Sequence, residues 1–207
     1  MAVALIDYGM GNLHSVAKAL ERAGATVRRV QSPSELAGCD RLVLPGVGAF
    51  RDCVRTLQAR GLFSAVLERI EGGTPYLGIC LGMQLLMDIS LEGGRHLGLG
   101  WIAGEVRRFP EAIVHKGAKI PHMGWNDLIL RKPHPVLEAV GDRQVYFVHS
   151  YFCAPQDERT LLAQSEHGGI RFAAAIARGA AIGVQFHPEK SQAAGIDLLA
   201  AFLRWQP

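Results

Sequence analysis

A cysteine framed by glycines, and a histidine two residues ahead of a glutamate, are the groups in this sequence best suited to covalent chemistry. Cys80 lies in Gly78-Ile79-Cys80-Leu81-Gly82, with a glycine two positions to either side. That spacing suits an elbow in which small neighbours let a strand turn sharply into a helix and hold one side chain up alone. Unpaired amide N–H groups and the positive end of a helix dipole favour thiolate over thiol at such a point. A lone cysteine in an apolar stretch ordinarily packs as an inert small hydrophobe, but the glycine frame argues for a nucleophile. A nucleophilic cysteine needs a base to take and return its proton, and the base needs a third group to fix its tautomer. His187-Pro188-Glu189 offers both. In an extended segment residues two apart project to the same face, and Pro188 keeps His187 out of the helical region. The chemistry implied is acyl transfer, in which each preorganised N–H stabilises the developing oxyanion by about 3 kcal/mol. Leu81 N–H, directly after the nucleophile, is the first candidate donor, and the backbone of Gly46, Val47 and Gly48 is the second.

These groups need a scaffold, and the order of apolar runs and glycine turns supplies one. Residues 2–6 read as a buried strand, a glycine turn follows at 9–11, and Leu13, Val16, Ala17 and Leu20 have helical spacing up to Gly24. Residues 25–30 and 41–44 are two more strand candidates, the second opening onto a Pro45-Gly46-Val47-Gly48 loop. Helical patterns at 51–60 and 62–72 lead to the strand that delivers Cys80, and residues 81–87 carry helical spacing beyond it. After Ser90 the pattern changes from βα units to strands at 105–109, 144–151, 161–165, 171–176 and 180–186, with 119–127 read as a loop over the core. Ile196, Leu199, Ala200 and Leu203 close the chain as a helix. The expected fold is α/β: a three-layer, mostly parallel central sheet with flanking helices and a nucleophile elbow, plus antiparallel strands in the C-terminal half.

Composition narrows the function classes. With 207 residues, 49% of them apolar, and a net charge of +3, residues 1–207 are expected to form one domain. Arg and Lys are scattered, so nucleic acid is not an expected partner. No apolar stretch approaches the roughly 20 residues that span a bilayer, and the start lacks signal-peptide features, so no membrane partner and a cytoplasmic location are expected. Cys39, Cys53, Cys80 and Cys153 show no C-x-x-C spacing, so no metal site or disulfide framework is indicated. Gly9-x-Gly11 lacks the third glycine of a dinucleotide fingerprint, and no cofactor is expected. His14, His96, His115, His122, His134, His149 and His167 show no metal-ligand spacing and are read as non-catalytic.

Gly78-Ile79-Cys80-Leu81-Gly82-Met83-Gln84 together with Phe186-His187-Pro188-Glu189 resembles the class I glutamine amidotransferases, over essentially the whole chain. The resemblance implies a Cys80, His187, Glu189 triad that hydrolyses L-glutamine to glutamate and ammonia through a glutamyl thioester. It places the α-amino and α-carboxylate groups of glutamine at Gly48, Gln84 and the Ser150-Tyr151 backbone. The segments 8–12, 44–50, 119–126 and 146–151 are similar to the histidine-biosynthetic branch of that family. There the ammonia passes to a separate (β/α)8-barrel cyclase subunit, in a heterodimer, that makes imidazole glycerol phosphate and an aminoimidazole carboxamide ribotide. Such a barrel needs roughly 250 residues, so a partner chain is implied, with Asn12, Ser15, Trp125, Tyr146 and Lys190 at or near the contact. The same likeness implies that the 45–48 loop stays unproductive until the partner binds its ribonucleotide. Alternatives are the glutaminase of another class I amidotransferase, serving nucleotide, pyridoxal phosphate or aromatic synthesis, a regulatory protein that has lost the reaction, and a cysteine peptidase.

Overall fold

The computed structural model describes residues 1–207. Its first half is built of βα units: β1 (Ala2–Ile6), α1 (Leu13–Arg22), β2 (Thr26–Val30), β3 (Arg41–Gly46), α2 (Phe50–Ala59), α3 (Leu62–Glu71), β4 (Tyr76–Cys80) and α4 (Leu81–Gln84). Then come β5 (Met87–Ser90), β6 (His96–Leu97), β7 (Ile102–Arg108), β8 (His122–Asn126), β9 (Ile129–Leu130) and α5 (Pro135–Glu138). The chain finishes with β10 (Val145–His149), β11 (Tyr151–Pro155), β12 (Leu161–His167), β13 (Ile170–Arg178), β14 (Ala181–Val184) and α6 (Gln192–Arg204).

Eight strands form the central sheet in the order β2-β1-β3-β4-β14-β13-β12-β9. The pairings from β2 through β14 are parallel and those from β14 onward are antiparallel. Strands β1, β3, β4 and β14 are buried along almost their whole length, which is why they read as unbroken apolar runs: helices cover both faces. On one face α1 and α6 contribute Val16, Leu20, Leu198 and Phe202 to the core. On the other, α2 and α3 contribute Leu57 and Val66, joined there by Ile102 and Val106 from a second sheet of order β11-β7-β5-β6. The fold is therefore the mixed α/β sheet with flanking helices that the sequence predicts. No helix is long and apolar enough to cross a membrane.

Three readings of local structure need correction. The helix after Cys80 is one turn, Leu81–Gln84, and Met87 already begins a strand; burial on all sides erases the periodicity that separates buried helix from buried strand. Residues 119–127 contain a strand, β8, paired antiparallel with β10; its buried face is polar, so it lacks apolar alternation. Residues 144–151 are two strands, broken at Ser150, with β10 pairing to β8 and β11 to β7 in a different sheet.

Candidate active site

Sheet register assembles the site. Gly46 at the end of β3 lies opposite Cys80 at the end of β4. On the other side Val184 of β14 pairs with Ile79, so the residues that follow β14, Gln185 to His187, come up beside the cysteine. Brief parallel strands thus deliver three segments, remote in sequence, to one carboxyl edge of the sheet, where open α/β folds collect ligands.

Cys80 adopts φ 54° and ψ −105°, a region that a side chain enters only at a cost of about 1–3 kcal/mol and that persists where the surroundings hold it. The glycine frame explains how the turn is possible. A Cβ on Gly78 would stand 2.3 Å from Gly82 O, and one on Gly82 would stand 1.8 Å from Leu44 O. A side chain at Gly82 would push the elbow off β3, and one at Gly78 would push the turn off its own strand. Because α4 is a single turn, its dipole is much weaker than a long helix would provide.

His187 Nδ1 lies 2.8 Å from Glu189 Oε1, with both side chains almost wholly buried. The expected juxtaposition is present, but the backbone that produces it differs from the extended reading. His187 is extended, whereas Pro188–Lys190 form a 3₁₀ turn that swings Glu189 back under the ring. Ser191 Oγ donates to His187 O and accepts from Tyr146 N–H, fixing this turn against β10. Burial alone would lower the His187 pKa, but Cys80 and Glu189 together outweigh it and push it up to about 10. His187 Nε2 is buried and has no hydrogen-bond partner, which leaves it available to a group entering the site.

Cys80 and His187 line a cleft of about 300 Å3 together with Gly46, Val47, Gly48, Leu81, Gln84, Ser150 and Tyr151. Every catalytic, oxyanion and substrate residue expected from the sequence borders this cleft except Glu189, which stands behind His187. The 45–48 loop is shorter than read, since Pro45 and Gly46 belong to β3. Gln84 Nε2 donates to Tyr151 O at 3.0 Å and to Gln185 Oε1 at 3.2 Å. Tyr151 O also accepts from His149 Nδ1 at 2.9 Å, so that carbonyl already has two protein donors.

Three residues bordering or supporting the cleft were not proposed as site residues. Gln185 Nε2 approaches Cys80 Sγ at 3.5 Å; a glutamine two positions before His187 in an apolar strand was the available signal. Glu92 contributes a carboxylate to the cleft wall and accepts from Phe50 N–H at 2.7 Å, tying the hairpin between β5 and β6 to the start of α2; nothing in its sequence context marks it. His149 lines the cleft too and belongs to a relay. Tyr151 O can only accept, so His149 carries its proton on Nδ1, and its bare Nε2 accepts from His122 Nδ1–H at 3.0 Å. The bare Nε2 of His122 then accepts from Asn126 Nδ2 at 3.2 Å. Both rings are neutral in this arrangement. Burial lowers His149 to about 3 and His122 to about 4. Among the other cysteines, burial pushes Cys53 up to about 12 and raises Cys153 further, which disfavours their thiolates. No group of three or more His, Cys, Asp or Glu side chains is positioned to hold a metal ion.

Trp125 and Tyr146 are register partners on β8 and β10 and meet edge to face at 5.8 Å, with Lys190 Nζ 5.6 Å from the centre of the Tyr146 ring. Trp125 and Met123 project from one side of β8 and remain 44% and 64% exposed. Asn12 caps α1 by accepting from Ser15 N–H at 3.4 Å, and α1 packs against the 188–190 turn. Lys190 thus belongs to the turn that carries Glu189, and β10, which carries Tyr146, and α1 pack against it.

The profile of the glutamine amidotransferase class-I family matches residues 4–204. The chain is 50% identical over 213 aligned positions to the imidazole glycerol phosphate synthase subunit HisH of Methylococcus capsulatus, covering 100% of this chain and 97% of that protein. It is 46% identical to the subunit of the same name from Syntrophotalea carbinolica, covering 97% and 98%. A crystal structure titled as a glutamine amidotransferase superposes with a TM-score of 0.76 at 21% identity, covering 98% of this chain and 97% of that one.

Proposed function

The chain belongs to the class-I glutamine amidotransferase family, and on that footing we infer that it is the glutaminase subunit of an imidazole glycerol phosphate synthase, acting in histidine biosynthesis. Full-length identity near 50% to proteins carrying that name supports the assignment. The convergence of Cys80 and the His187-Glu189 pair on one cleft carries the mechanism.

Cys80 Sγ attacks the side-chain amide carbon of L-glutamine with its proton already on His187 Nε2, in keeping with the raised pKa of that ring. The carbonyl oxygen takes up the electron pair and is held by N–H groups of Leu81 and of the 46–48 backbone, each worth about 3 kcal/mol when correctly aimed. Collapse of this intermediate breaks the C–N bond, with His187 returning the proton to nitrogen, so ammonia leaves and a glutamyl thioester remains. Water, deprotonated by the now neutral His187, attacks the thioester; the C–S bond breaks, glutamate departs and the proton stays on His187. Glu189 holds the ring through Nδ1 and stabilises the imidazolium present at rest and re-formed when water is deprotonated. Gln84 Oε1, which takes no protein donor, and the Glu92 carboxylate are the acceptors for the substrate's ammonium. Gly48 and the amides of 150–151 face its carboxylate.

The ammonia passes to a (β/α)8-barrel cyclase subunit bound as a heterodimer across the patch of Asn12, Ser15, Trp125, Tyr146 and Lys190. An exposed aromatic pair with an adjacent cation on otherwise ordered strands suits such a contact. The complex works in the cytoplasm, and loading of the cyclase with its ribonucleotide brings the oxyanion loop into register. Glutamate release by the purified pair should rise when the ribonucleotide is added and vanish with Cys80→Ala. Equal turnover with and without the loaded partner would refute the coupling, and persistent turnover in Cys80→Ala would refute the mechanism.

A further inference from the structure

Away from the cleft, a group of largely unneutralised positive charge lies in the seam between α2 and the hairpin of β5 and β6. Arg51, Arg55 and Gln58 rise from one face of α2 at helical spacing, and Arg95 and His96 face them from the hairpin, around an open cleft of about 290 Å3. Of the three guanidinium groups only Arg51 has a carboxylate partner, Asp52 at 3.3 Å on the exposed side. His96 Nε2 is buried without a hydrogen-bond partner. Two packed elements therefore bring together like charges that repel each other, an arrangement that an anion relieves. Guanidinium forks match the oxygens of a phosphoryl group in pairs, which a point-charge ammonium does not.

We propose that the Arg51, Arg55, Arg95 and His96 cleft binds the phosphoryl group of a small molecule, free or esterified. Its volume lies at the lower end for small-molecule sites, which suits one or two phosphoryl groups better than a polymer. The same two elements are joined at their other end by Glu92 and Phe50 N–H, so an anion across the seam would brace the helix that follows the 46–48 backbone.

Calorimetric titration of the full chain at low ionic strength, with inorganic phosphate, pyrophosphate and ribose 5-phosphate as separate probes, tests this site. One saturable site is expected, with affinity reduced about tenfold in Arg55→Gln and in Arg95→Gln, the loss of one charge-assisted contact. Arg171→Gln, on β13, should leave it unchanged. Both cleft arginines are exposed and bear no ion pair, so the variants should keep the fold; if circular dichroism shows that one does not, the other decides. Tighter binding of ribose 5-phosphate supports an esterified ligand, and tighter binding of the inorganic anions supports a free one. Absence of saturable binding for all three probes, or wild-type affinity in the folded cleft variants, would overturn the proposal.

Discussion

His187 and His149 line the same cleft, 3% and 6% exposed, yet one is pushed up to about 10 and the other down to about 3. Burial opposes the imidazolium in both. The difference lies in what each ring meets: His187 faces a carboxylate on one nitrogen and a sulfur on its other side, whereas His149 meets a carbonyl and the nitrogen of a second neutral imidazole. One part of the cleft can thus carry a proton through a reaction cycle while the neighbouring part stays uncharged and holds the Tyr151 backbone in place. Exposure alone would not have told the two apart.

The sharpest way to break this comparison is to exchange the two rings for amides. His187→Gln should lower glutamine turnover roughly 10⁴-fold, while His149→Gln, which keeps a donor toward Tyr151 O, should cost about tenfold or less and act mainly on KM. Equal losses in steady-state assays would mean that both rings handle protons. Glu189→Gln preserves the shape beside His187 but removes its charge; a fall in kcat of roughly a thousandfold is expected, with the alkaline limb of the pH–rate profile shifted to lower pH.

Stability should divide along the same line. His149 and His122 sit below the unfolded value of about 6.5, so between about pH 6.5 and 4 the unfolded chain binds protons that the folded one refuses. Their contribution is complete above 6.5 and is lost as pH falls. His187 has the opposite sign: its contribution is complete below about 6.5 and is lost as pH rises through about 10. Urea midpoints measured across this range should show a flatter acid limb in His149→Gln and a flatter alkaline limb in His187→Gln. The smallest effect belongs to Asn126→Ala, which removes the donor to His122 Nε2. It should cost about 1 kcal/mol and move the His122 titration, followed by NMR, upward toward 6.5.

The two walls also differ in how far the sequence disclosed them. The wall built by β3, β4 and β14 was legible because parallel strands covered on both faces read as apolar runs, and because only glycine at 78 and 82 permits the elbow against Leu44 and Gly82 backbone. The register that sets Gly46 and Val184 beside Cys80 and Ile79 follows from that sheet order. The wall built by β8 and β10 was obscured. Its inward positions are His122, Gly124 and Asn126, a polar face that satisfies itself through the relay, and a polar strand looks like a loop. The break at Ser150 was equally hidden, since both halves favour strand and only the presence of a second sheet separates them. Glu92 reaches the cleft by way of a hairpin whose position depends on packing against α2, which no local pattern encodes.

The most direct test of the central claim is acid-quench mass spectrometry of the glutaminase with its loaded partner, mixed with saturating glutamine on the millisecond scale. A glutamyl adduct should appear on the peptide containing Cys80 and nowhere on those containing Cys39, Cys53 or Cys153, and should be absent in Cys80→Ala along with turnover. Glutamate formed at the wild-type rate without Cys80, or an adduct that rises and decays with turnover on another cysteine, would contradict it.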